Sequence, residues 1–97
     1  MAVAVVMDFN GATLGQYDQV LEKMQLTPGG PGPRGAMFHW CAATDSGIRI
    51  TDVWQSREQF DAFARDQIGP FSAEVGLPEP PNLTFYDVHT YFTDGGS

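Results

Sequence analysis

Asp52-Val53-Trp54-Gln55-Ser56-Arg57-Glu58-Gln59-Phe60 carries the chain from a β-rich run directly into a helix, and its reading decides the fold. Ser56 can cap a helix, and Gln59 stands three residues on, the capping-box spacing. Phe60, Phe63, Ala64, Ile68 and Phe71 then share one helical stripe, with Asp61, Arg65 and Asp66 off it. Gly69-Pro70 is expected to break that helix, because proline has no N–H to donate and restricts the residue before it. The stretch is a strand-to-helix unit.

Upstream, two apolar segments, 36–44 and 48–55, flank Asp45-Ser46-Gly47 and read as a β-hairpin. Loop length fixes the register, and a slip of one residue turns every side chain to the other face. A three-residue loop with Gly47 left-handed sets Trp40 opposite Asp52 and Phe38 opposite Trp54. A four-residue loop, 44–47, pairs His39 with Asp52 instead. The first is preferred here, because it makes Phe38 and Trp54 an aromatic cross-strand pair.

Working outward, residues 2–9 form a strand apolar on both faces except at Asp8, so it belongs in the middle of a sheet. Thr13 and Gln16 repeat the capping-box spacing. Leu14, Tyr17, Val20, Leu21 and Met24 follow as an apolar helical stripe ending near Leu26. The sequence TPGGPGPRG at 27–35 is a breaker-rich connection, either a plain loop or a lid. Residues 71–77 add a short helical turn, Pro78, Pro80 and Pro81 stiffen the next passage, and 83–92 read as the last strand. Residues 93–97 are a polar tail expected to fray.

Composition narrows the function. Ninety-seven residues make one domain, 1–97, and no apolar run approaches the ~20 residues of a membrane span. Residues 1–7 lack the basic flank and cleavage site of a signal peptide, so the expected location is cytoplasmic. The single cysteine, Cys41, permits no intrachain disulfide, which fits a reducing compartment. A net charge of −7 with five scattered basic residues argues against nucleic acid or an anionic membrane as partner. Two Trp, three Tyr and seven Phe exceed what a minimal core needs; a lined cavity, a dimer interface or simply a core of large side chains accounts for them.

The order strand, helix, strand, strand, helix, strand is that of the ferredoxin-like split βαβ arrangement: α+β, βαββαβ, a four-stranded antiparallel sheet in the order 4-1-3-2 with both helices on one face. The other face is then bare. Yet Val3, Val5, Met7 and Phe9 alternate with Ala4 and Val6, and Phe38 and Trp40 alternate with Met37 and Cys41, so both faces are apolar. A bare apolar face of that size needs a cover, and a second copy of the chain supplies one.

With these features the chain resembles the dimeric α+β barrel superfamily, and within it the antibiotic-biosynthesis-monooxygenase-like proteins. The element order carries the likeness along the whole chain, and the segment 52–60 is its most specific part: a strand ending in Trp, a polar residue, Ser, charged residues and an aromatic. The resemblance implies a homodimer binding a small apolar or aromatic ligand. It also implies a cofactor-independent monooxygenase type of chemistry, in which a base deprotonates a phenolic or enolic substrate and the carbanion reacts with oxygen. Non-catalytic binding or scaffold dimers, and isomerases or cyclases, remain alternatives on the same fold. The haem-degrading branch carries an Asn on the first strand, a Trp on the second helix and a later His there. Val5, Phe63 and Ala73 stand at those positions and Asn10 comes too late, so haem is not expected.

Asp52 is the most informative polar residue, because a carboxylate inside a β-rich run is costly without a partner. It is either a general base in an apolar pocket or a strand-end acid bonded to Thr51, an arginine or the helix start. His39 and His89 are the only histidines, and their strands lie at opposite edges, roughly 14 Å apart, so they share no metal within a protomer. Neither a metal nor any other cofactor is expected. Asp52 and His39 are the candidate bases. Trp40, Trp54, Phe63, His89 and Tyr91 are candidate substrate-binding residues, His89 and Tyr91 by sharing a face of the last strand with Phe85 and Asp87. Arg34 could grip an anion or stand as a solvated loop cation, and Cys41 reads as a packed, inert thiol.

Overall fold

A computed structural model describes residues 1–78 and 80–93. Its elements are β1 (Val3–Asn10), α1 (Leu14–Met24), β2 (Ala36–Ala43), β3 (Gly47–Trp54), α2 (Arg57–Phe63), a π turn (Ala64–Ile68), α3 (Gly69–Glu74) and β4 (Asn82–Asp87). The strands form one antiparallel sheet in the order β2-β3-β1-β4, the order expected from the split βαβ reading. The frayed tail expected at 93–97 falls, from 94 on, outside the described residues.

Both long helices start where their caps predict. Thr13 accepts from the Gln16 backbone N–H while the Gln16 side chain accepts from the Thr13 N–H, a complete capping box. Ser56 likewise accepts from the Gln59 N–H at 3.2 Å, although the Gln59 side chain meets the Ser56 hydroxyl rather than its backbone. Leu14 turns outward instead of joining the α1 stripe.

Gly69-Pro70 does not break the second helix. Gly69 donates to the Ala64 carbonyl five residues back, the widened spacing of a π turn. Pro70 thereby falls in the first turn of α3, where a missing donor costs little, and helical geometry continues to Glu74.

The hairpin register also differs from the preferred reading. His39 pairs with Asp52, Trp40 with Thr51 and Phe38 with Val53, which is the four-residue-loop alternative. Thr44 closes that loop twice, donating its N–H to the Gly47 carbonyl and accepting the Gly47 N–H at its hydroxyl. Gly47 is not left-handed. Its glycine is needed because a Cβ there would drive into the Phe9 carbonyl of the adjacent strand. A bulge at Met37 then lets Ala36 still face Trp54.

The register sorts the sheet into two faces. Val3, Val5, Met7 and Phe9 of β1 and Ile48, Ile50, Asp52 and Trp54 of β3 are buried beneath the helices, joined by Phe60. Trp54 meets Phe60 and Phe63 at 5.8 and 5.2 Å between ring centroids, and Phe60 meets Phe85 of β4 edge-on at 5.6 Å. Paired on the opposite face are Ala4, Val6, Thr51, Val53, Phe38, Trp40, Thr84 and Tyr86. β4 ends at Asp87 rather than at Phe92, because its partner β1 begins at Val3; one further bond joins the Val88 N–H to the Ala2 carbonyl.

Candidate functional site

Between the β2–β3 half of the sheet and α1 lies a cavity of about 550 Å³. Its floor is Met7, Ile48, Ile50 and Trp54, one side is α1 through Tyr17 and Leu21, and residues 26–33 roof it. The glycine- and proline-rich connection therefore has a place in the site. Every buried side-chain polar atom among the described residues has a hydrogen-bond partner.

Four polar side chains form one chain of hydrogen bonds on this wall. Trp54 and Asp52 are two residues apart on β3, so both point to the helical face, and the indole N–H donates to Asp52 Oδ2 at 3.1 Å. Asp52 Oδ1 faces His39 Nδ1, its cross-strand partner, at 2.6 Å. His39 Nε2 in turn meets the Tyr17 hydroxyl from α1 at 2.5 Å. Chemistry fixes the direction of each bond. An indole N–H only donates and a carboxylate only accepts, so Asp52 takes both protons and holds His39 as the Nδ1–H tautomer. The neutral imidazole is left with an accepting Nε2, which receives the Tyr17 O–H. This is the arrangement of a base oriented by a buried acid.

Asp52 is buried, at 4% exposure, while His39 on the edge strand is open to solvent. None of the structural partners weighed for Asp52 in the sequence, Thr51, an arginine or the helix start, is bonded to its side chain. Burial, reinforced by Cys41 once it ionises at alkaline pH and by the negative charges of Asp52 and Asp18, pushes the Tyr17 phenol from 10.0 up to about 12, so it stays a proton donor. Burial and then Asp18 push the Cys41 thiol from 9.0 up to about 11, which keeps it protonated and unreactive.

Both groups hold their protons more tightly in the folded chain than in the unfolded one. Their contribution to stability is whole below about pH 9 and is lost as pH rises through roughly 9–12. The unfolding midpoint should therefore fall across that window, and the fall should be smaller in Tyr17→Phe and in Cys41→Ala. Equal alkaline profiles for all three chains would contradict the assignment.

Of the residues singled out in the sequence, His39, Asp52, Trp54 and Phe63 line the cavity together. Trp40 does not, because the register turns it to the opposite face. His89 and Tyr91 lie beyond the end of β4 and are exposed, so the shared strand face assumed for them does not exist. In the sequence Tyr17 is only one member of a helical core stripe. A polar tip within that stripe was its one sequence signal. Among the described residues there is no group of three or more His, Cys, Asp or Glu side chains able to hold a metal, and no helix long and apolar enough to cross a membrane.

No family model matches the chain, and no curated protein matches its sequence. Solved structures do match. A proposed antibiotic biosynthesis monooxygenase from Deinococcus radiodurans superposes with a TM-score of 0.61 at 12% identity, covering 99% of this chain and 100% of that one. A conserved protein from Methanosarcina mazei gives 0.61 at 13% identity, with 89% and 91% covered. The Streptomyces coelicolor monooxygenase from the gene ActVA-Orf6, in complex with the ligand nanaomycin D, gives 0.53 at 18%, with 97% and 92% covered. The chain shares the ferredoxin-like α+β fold of these structures. At these identities the likeness is one of fold.

Proposed function

We propose that the chain is a small-molecule enzyme of the cofactor-independent monooxygenase type, acting on a phenolic aromatic ligand held in the cavity. One observation carries the reading: an oriented acid–base pair, Asp52–His39, on the wall of an otherwise largely apolar space large enough for a ligand of two or three rings. Trp54 and Phe63 are its aromatic wall, and Tyr17 is the hydroxyl next to the base. The fold shared with two proteins described as monooxygenases adds support.

In this mechanism His39 Nε2 takes the ligand's phenolic or enolic proton, directly once Tyr17 swings aside or through the Tyr17 hydroxyl. Asp52 stabilises the imidazolium that results. The ligand anion passes one electron to dioxygen, and the pair recombine as a carbon peroxide. His39 returns its proton to the distal peroxide oxygen; the same carbon then loses its C–H hydrogen as the O–O bond breaks, leaving a quinone carbonyl and water. The ligand itself supplies the electrons. The protein contributes orientation and a base.

Oxygen uptake with 1,8-dihydroxyanthrone tests the reading. One oxygen molecule should be consumed per quinone formed, and His39→Gln should abolish the enzymatic part. Conversion of a phenolic ligand without oxygen uptake would replace the oxygenase by an isomerase or cyclase.

The partner proposed is a second copy of the chain. On the face away from the helices Phe38, Trp40 and Tyr86 are 53%, 42% and 58% exposed, beside half-buried Ala4, Val6 and Val53. A contiguous apolar patch of this kind is unusual on a monomer. Sedimentation at micromolar concentration should give twice the 10.6 kDa chain mass. Trp40→Glu should shift the population to monomer. A stable wild-type monomer would contradict the proposal.

A further inference from the structure

The charged part of the cavity wall is of one sign. Asp18 on α1 and Asp52 on β3 line it, and none of the chain's five basic side chains does. Four of those five are engaged elsewhere: Lys23 with Glu74, Arg49 with Asp8, Arg57 with Asp61 and Arg65 with Asp66. Arg34 borders a separate shallow depression beside Gln59 and Asp66. Arg49 cannot turn inward, because the register places it on the opposite sheet face with Asp8 and Ala42. The other polar lining groups, the hydroxyls of Tyr17, Thr27 and Ser72 and the His39 imidazole, carry no fixed positive charge. An entering anion therefore meets two carboxylates and no counter-ion. Burial does most to keep the proton on Tyr17, and the charges of Asp52 and Asp18 add to it, so the wall itself feels the same field.

Resting on the phenol reading above, we propose that the cavity is a charge filter that admits uncharged hydroxyaromatic ligands and rejects aromatic carboxylates, with Asp18 as the specificity-determining residue at its rim. A neutral phenol enters without Coulombic cost. When it ionises inside, its proton stays on His39, so the net charge of the occupied cavity does not change. An aryl carboxylate arrives already charged and keeps its charge. At the effective dielectric of a protein surface, a like charge held nearby weakens binding roughly tenfold or more. Asp18 is exposed on a helix already capped by Thr13 and is bonded to none of the four relay side chains, so it can be changed without touching them.

The test compares 2-naphthol with 2-naphthoate by titration calorimetry at pH 7, in the wild-type chain and in Asp18→Asn. Naphthol should bind at least ~10-fold more tightly than naphthoate to the wild type. In Asp18→Asn the naphthoate affinity should rise several-fold while the naphthol affinity stays put. Equal binding of the two probes, or a preference for naphthoate, would overturn the filter and leave the aromatic-ligand reading standing. A gap that is unchanged in Asp18→Asn would overturn the assignment to Asp18. If neither probe bound, the phenol reading and the filter would fall together.

Discussion

Asp52→Asn should leave the chain folded and remove the proton transfer. The asparagine carbonyl can still accept the Trp54 indole N–H, but its amide N–H₂ then faces His39 Nδ1. To accept from it, the imidazole must move its own proton to Nε2, and the lone pair that would receive the ligand's proton is gone. A base held in the wrong tautomer loses on the order of 10³–10⁴ in rate. Stability should fall by roughly 1–3 kcal/mol, because two bonds to a charged acceptor become bonds to a neutral amide. Turnover of 1,8-dihydroxyanthrone and thermal unfolding measure the two effects. A clear loss of stability with undiminished turnover would return Asp52 to a purely structural place.

Trp54→Ala should have the largest effect on stability. The indole is 1% exposed, packs on Phe60 and Phe63, and donates the bond that anchors Asp52. Truncating so large a buried aromatic costs roughly 3–5 kcal/mol, and it also leaves a buried carboxylate oxygen without its donor. At about 4–8 °C per kcal/mol for a domain of this size, the midpoint should drop by more than 10 °C. Trp54→Phe keeps a buried aromatic ring but loses the N–H and part of the indole volume, so it should cost less than Trp54→Ala while loosening Asp52 and His39. A Trp54→Ala chain as stable as the wild type would contradict the packing described here.

The fold was legible in the sequence because its local signals agree with one another. Thr13 and Ser56 mark both helix starts, and the step from Trp54 to Ser56 leaves no room for another element. The register was not legible, because it turned on one residue of loop length. The choice for a Phe38–Trp54 pair rewarded a local aromatic contact, whereas the sheet gains more by burying Trp54 with Phe60 under the helices. That one step also decides the site. The four-residue loop places His39 across from Asp52 and sends Trp40 to the other face. Tyr17 stayed hidden because a helical stripe identifies which residues face inward and not what their tips meet. The break expected at Gly69-Pro70 failed because a single π turn makes room for the proline, and nothing in the residue types announces such a turn.

The central claim, that His39 takes a proton from a phenol bound in the cavity, is tested most directly with 4-nitrophenol, whose two protonation states have distinct absorption bands. The protein is titrated into the phenol at a pH where the free phenol is largely protonated. The account predicts that binding raises the phenolate band in the wild type, and that His39→Gln binds the phenol without raising it. A bound phenol that keeps the neutral spectrum in the wild type, or a phenolate band that survives in His39→Gln, would contradict it.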